Sequence, residues 1–283
     1  MGTVAGHVDR TPAALRSMFS DVLRHRHLLL SLTGRDLKVR YKQSLLGIGW
    51  AVVLPIAMML VFTFVFTRAI DAPSFLHARM PYALFAYAGL APWMFFSSSL
   101  SGCINSLVAN RNLVTKVYFP REVFPLSCVA ASFVDFCIAM LALFGLMLYW
   151  HCTGDWPLRP SSAWVFLPLI VLVQVMLTAG LGLLLAMGHL FYRDVRQVFN
   201  VAIQLWMFVS AVVVPLPQDG TAISRLLSFN PLVPMMNAYR DCLLHGRLPD
   251  LWGLAYAAIV AVLVLSGGWS WFRRTSHRFA ECI

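Results

Sequence analysis

Lysine is scarce in this sequence: only Lys38, Lys42 and Lys116 occur, and none follows a glycine. A G-x-x-x-x-G-K-[ST] loop is thereby excluded, and with it ATP hydrolysis by a P-loop in this chain. Neither a G-x-S-x-G elbow nor an H-E-x-x-H pair occurs, so the common footholds of hydrolase chemistry are missing and no catalytic residue is expected. Six cysteines are scattered without a C-x-x-C or a Cys/His metal spacing, and neither a metal nor a required disulfide is expected. Charge is the largest deficit. Only 12% of the 283 residues are charged, against about a quarter in soluble domains, while 59% are hydrophobic. That balance describes an all-α polytopic membrane protein.

A crossing needs about 20 apolar residues to cover about 30 Å of hydrocarbon. Six segments reach or approach that length: Ile48–Phe66, Tyr82–Ser101, Phe124–Trp150, Trp164–Phe191, Val198–Pro215 and Trp252–Phe272. Ahead of them the run Leu28–Leu32 is too short for a signal-peptide core and has no small-residue cleavage site, so the N-terminus is expected to be retained. Six crossings put both ends on one side. With the termini inside, 16 of the 22 Lys and Arg residues fall in inside segments and six in outside ones. Excess Lys and Arg mark cytoplasmic loops, so both termini are expected in the cytoplasm. The net charge of +10 then reflects topology, and no nucleic-acid partner is expected.

Thr11-Pro12 supplies a capping hydroxyl and a first-turn proline. Leu15, Met18, Phe19, Val22 and Leu23 then recur at three- and four-residue steps, predicting an amphipathic helix for the membrane interface or for a partner protein. Gly34 is expected to break this region, with Asp36 and Arg40 pairing at i, i+4 in the helix that follows. There Arg35, Lys38, Arg40 and Lys42 crowd the approach to the first span. Such a flank orients the span, and its cations also lie at the depth of lipid phosphates. Residues 1–47 are read as cytoplasmic amphipathic and basic helices and 48–283 as the transmembrane domain. Within it, 110–123 and Tyr192–Gln197 are cytoplasmic links. The outer segment 216–251 holds apolar runs too short to cross, which suit re-entrant or interfacial helices.

Asp135 is the one acid well inside a predicted span, where a carboxylate costs roughly 2.5–3.5 kcal/mol on insertion scales. It needs a hydroxyl, backbone group or cation as partner, or it serves as a proton relay in a carrier. Aromatic rings are dense, and belts at the two membrane faces account for many of them. Small residues at Gly182/Ala186 and Gly253/Ala257/Ala261 permit close helix approach within or between protomers.

Four blocks in order, RDLKVRYKQSLLGIGWAVVLP at 35–55, NLVTKVYFPREVFPL at 112–126, FYRDVRQ at 191–197 and NPLVPMMNAYRDCLLHGRLPD at 230–250, resemble a known family. It is the membrane-spanning permease subunit of ABC-type exporters for lipid-linked polysaccharides, serving O-antigen, capsule and teichoic-acid pathways. The resemblance implies a homodimer with two separate ATP-binding-cassette ATPase subunits, which use the ATP and Mg, and a location in the cytoplasmic membrane. It assigns the substrate headgroup and cytoplasmic gate to Arg35, Lys38, Arg40, Tyr41 and Lys42. Channel-lining rings are assigned to Phe62, Phe66, Trp206 and Phe208. ATPase coupling is assigned to Asn112, Leu113, Lys116, Tyr118, Phe119, Arg121, Arg193 and Asp194. The outer gate is assigned to Asn230, Pro231, Tyr239 and Arg240. Two rivals stay open: an exporter of the same fold for drugs or small lipids, and a proton-coupled carrier built on Asp135.

Overall fold

The computed structural model describes residues 25–42, 44–69, 81–111, 113, 120–154, 156–157, 161–213, 227 and 229–276, with 68 and 69 described by backbone alone. All of its regular elements are helical. They are α1 (Arg26–Tyr41), α2 (Trp50–Phe64, entered by a 3-10 turn Gly47–Gly49), α3 (Tyr82–Ala109), α4 (Val123–Thr153), α5 (Leu167–Phe191), α6 (Val195–Val209), α7 (Leu232–Arg240, running into a π turn Asp241–His245) and α8 (Leu251–Thr275). The amphipathic stripe Leu15–Leu23 lies outside the described residues.

Five helical stretches are long and apolar enough to cross a membrane: Gly47–Thr67, Tyr82–Ala109, Val123–Thr153, Ser162–Phe191 and Leu251–Thr275. They match predicted spans one to four and six. The span expected at Val198–Pro215 is different. Its helix, α6, has 15 residues, about 22 Å at 1.5 Å per residue and short of the about 30 Å of hydrocarbon. It stops because Ala211 takes a left-handed backbone, φ 53°.

α3 is the central element, packed by α2, α4, α5 and α7. Its N-terminal half is rich in small residues, Ala83, Ala86, Ala88, Gly89 and Ala91, all buried, and neighbours approach it closely there. The α5/α8 contact uses the same device: a Cβ on Gly180 would meet the Leu265 backbone at 2.7 Å. Ala186, Ala257 and Ala261 are fully buried within the chain.

α1 is continuous through Gly34, contrary to the expected break. Leu28, Leu29 and Leu32 tie its first half to an apolar cluster with Leu107, Val123, Phe124 and Phe272, and this packing holds the helix across the glycine. The expected Asp36–Arg40 pair does not form either. Each side chain finds a partner on α4 in a less exposed setting, where an ion pair or hydrogen bond outcompetes an exposed i, i+4 pair.

Candidate functional site: a clamped basic helix beside a polar-mouthed cavity

The N-terminal half of α4 carries Ser127, Cys128, Ser132 and Asp135 along one side, and α1 lies against it there. Asp36 accepts a hydrogen bond from Ser127 at 2.9 Å, and Arg35 pairs with Asp36 at 2.9 Å. One turn on, Arg40 donates to Asp135 at 2.8 Å and to Ser132 at 3.0 Å, while the Tyr41 hydroxyl donates to the other Asp135 oxygen at 2.5 Å. Both helices advance in the same direction through these contacts. Burial and the Asp135 carboxylate push the Tyr41 phenol well above its usual range, so it remains a donor.

Asp135 is thus partnered on both oxygens, and of its two possible uses the geometry matches pairing. The 31 residues of α4 reach about 46 Å, well beyond the hydrocarbon thickness, and a position twelve residues from the start of α4 lies in its N-terminal half.

The clamp borders a cavity of about 430 Å³. α2 supplies Trp50, Leu54 and Pro55, and α3 supplies Phe95, Ser97, Ser98 and Ser101. α4 contributes Ser132, Asp135 and Phe136, α6 contributes Phe199 and Asn200, and Arg40 and Tyr41 stand at one end. Ser97 and Ser98 donate to carbonyls of their own helix, leaving their oxygens as acceptors. A ligand-sized space with apolar walls, a few hydroxyls and one charged corner has the usual makeup of a small-molecule site.

Of the five residues expected at the cytoplasmic gate, Arg40 and Tyr41 border the cavity, Arg35 is occupied by Asp36, and Lys38 and Lys42 are exposed. Phe62 and Phe66 stack in sequence toward Tyr82 of α3, with centroids 6.4 and 5.6 Å apart. Trp206 meets Phe96 edge-on at 5.4 Å, whereas Phe208 is exposed. Among the coupling residues, Leu113 is exposed, Arg121 bonds the Ser276 carbonyl, and Arg193 and Asp194 are exposed on the link between α5 and α6. Asn112, Lys116, Tyr118 and Phe119 lie outside the described residues.

Beyond the last turn of α6, the break leaves backbone carbonyls without helical donors, a serious cost where water is absent. Side chains satisfy them. Asn230 reaches the Val209 carbonyl and the Ser210 hydroxyl, Arg240 donates to Ala211 and Val212, and Tyr82 donates to Val213. Arg240 is 2% exposed, and its guanidinium lies 3.8 Å from the Phe85 ring centroid. Tyr239 donates to Gln174 at 2.7 Å, and Gln174 donates to the Pro92 carbonyl at 2.8 Å, tying α7 to α5 and α3. Pro231 immediately precedes α7, and the Asn230 side chain accepts from the Leu232 N–H there.

Sequence reasoning missed Ser127, Ser132 and Gln174, and also the buried Glu122, which Arg273 at the end of α8 engages at 3.2 Å. The Ser127/Ser132/Asp135 stripe was the available signal, since its spacing places polar groups along one side of an otherwise apolar helix.

Long apolar helices around a cavity with a polar, charged corner define an integral membrane transport protein of the permease kind. Residues 27–244 match the ABC-2 type transporter family, and the chain belongs to that family. It is therefore a transporter permease subunit and not itself an enzyme. The chain is 34% identical over 269 residues to the O-antigen export system permease protein RfbA of Myxococcus xanthus, covering 93% of this chain and 98% of that protein. A protein of the same name from Klebsiella pneumoniae is 30% identical over 262 residues, 90% of this chain and 95% of its own length. The polysialic acid transport protein KpsM of Escherichia coli is 23% identical over 245 residues, 84% of this chain and 90% of its own.

Proposed function

We propose that the chain is the membrane-spanning subunit of an ATP-driven exporter that moves a polyprenyl-pyrophosphate-linked polysaccharide across the cytoplasmic membrane. Nearly end-to-end similarity to the two O-antigen export permeases carries this reading. It works as a homodimer with two ATPase subunits, which supply the P-loop that this sequence lacks and use the ATP and Mg. Both termini face the cytoplasm, and the sixth crossing is made by α6 together with the capped non-helical backbone at 210–213. Two observations support that crossing. α6 starts next to the Phe191 end of α5, and Val213 reaches Tyr82 at the opposite end of α3.

In the proposed cycle, the exposed Lys38 and Lys42 attract the substrate pyrophosphate to the membrane surface, where a cation near lipid phosphates is worth about 1 kcal/mol. ATP-driven closure of the partner pushes on 110–123 and on the Arg193–Asp194 link. The glycan then passes over aromatic and hydroxyl groups, with α7 and its π turn at the outer exit. A strain lacking this chain should regain surface polysaccharide when the chain is restored together with its ATPase subunit, and the two should co-purify. Surface polysaccharide that returns without any ATPase subunit would sink the reading.

A further inference from the structure

The Arg40 guanidinium stands at the cavity, yet its charge is already engaged by a carboxylate, so in the described state it is not an open anion site. The pair is incompletely buried: the Arg40 and Asp135 side chains remain 29% and 20% exposed. Exchange of partners in such a setting avoids the desolvation cost that locks a fully buried pair. Tyr41 keeps a hydrogen bond on the second Asp135 oxygen, so the carboxylate is not orphaned when the arginine leaves. The two halves of α1 are also held differently. Leu28, Leu29 and Leu32 anchor the first half in the apolar cluster, whereas Arg40 and Tyr41 at the far end are held by polar contacts. At the entry to the first span, after the end of α1, sits Gly47 at φ +51°, a backbone conformation that glycine adopts without strain and that suits a pivot.

We infer that Asp135 is a positioning residue that competes with substrate for Arg40: it holds the guanidinium when no substrate is present and yields it to the phosphate of an anionic lipid-linked ligand. The inference rests on the export reading above and adds to it the group that sets how strongly phosphate must bind to open the clamp. A ligand gains only its differential affinity between the clamped and released states, so weakening the internal competitor must tighten phosphate binding. The exposed Lys38 and Lys42 bring the anion to the clamp, and Asp135 decides whether Arg40 is released to it.

The test uses the full-length protein with its ATPase subunits in phosphatidylcholine nanodiscs, and measures binding of a polyprenyl diphosphate against the neutral polyprenol of equal length. Wild type should prefer the diphosphate. Asp135→Asn should bind it about fivefold tighter, the scale of a partly exposed ion pair, and Arg40→Gln should bind it more weakly. In the Arg40→Gln background the Asp135→Asn gain should vanish, an outcome that a merely structural Asp135 would not produce. If Asp135→Asn lowers the folded yield, Ser132→Ala removes Arg40's other partner and should shift affinity the same way by a smaller factor. Unchanged or weaker diphosphate binding by Asp135→Asn and Ser132→Ala overturns this inference while leaving the export reading standing. Wild type that does not prefer diphosphate to polyprenol overturns both.

Discussion

Two arginines of the molecule sit in contrasting surroundings. Arg40 is partly exposed, paired with a carboxylate and set beside a cavity. Arg240 is 2% exposed, and among the described residues its bonds go to the carbonyls of Phe85, Ala211 and Val212, while its neighbour Asp241 is taken by Arg247 at 2.7 Å. Both were read from the sequence as gate residues, but their physics differs. A guanidinium that caps backbone carbonyls in a dry interior cannot leave without stranding them, whereas one that shares a half-wet carboxylate can be exchanged. One arginine holds the fold, and the other is the one we propose is released to substrate.

Breaking the buried cap should have the largest effect. Arg240→Leu should lower the unfolding free energy by about 3–5 kcal/mol, since several buried carbonyls lose their donor together, with a matching drop in folded yield and thermal midpoint in detergent. Gly89→Ala probes the same place from α3. Its Cβ would stand 2.3 Å from the Val212 carbonyl oxygen and 2.5 Å from the Arg240 guanidinium, so a loss of about 2 kcal/mol is expected by the same thermal assay. Tyr239→Phe removes one bond and leaves a Gln174 acceptor unpaired, which should cost about 1–2 kcal/mol. Arg40→Gln should be the mildest in stability, about 1 kcal/mol or less. Equal thermal losses for Arg40→Gln and Arg240→Leu would erase the distinction between the two sites.

Much of the architecture could be read directly from the chain. Five apolar runs of membrane length became helices, because in lipid the backbone must satisfy itself within each run. At Val198–Pro215 the helix is shorter than the apolar run, since hydropathy does not register the left-handed Ala211 that stops α6 nor the side chains that make a stop tolerable. Gly34 misled in the opposite sense, because intrinsic propensity yielded to the tertiary packing of Leu28, Leu29 and Leu32. The clamp was half legible. Asp135 demanded a partner, but Arg40 lies 95 positions away in sequence and no local spacing joins them. The channel rings were assigned through the family resemblance; in the described chain Phe62, Phe66 and Trp206 pack toward rings of α3 and Phe208 is exposed.

The division of labour between the arginines meets its most direct test in surface polysaccharide, measured in a strain lacking this chain and complemented with Arg40→Gln at membrane levels matched to wild type. The account predicts a clear loss of surface polysaccharide while the protein still folds and assembles with its ATPase subunits. Full surface polysaccharide at matched levels would contradict it.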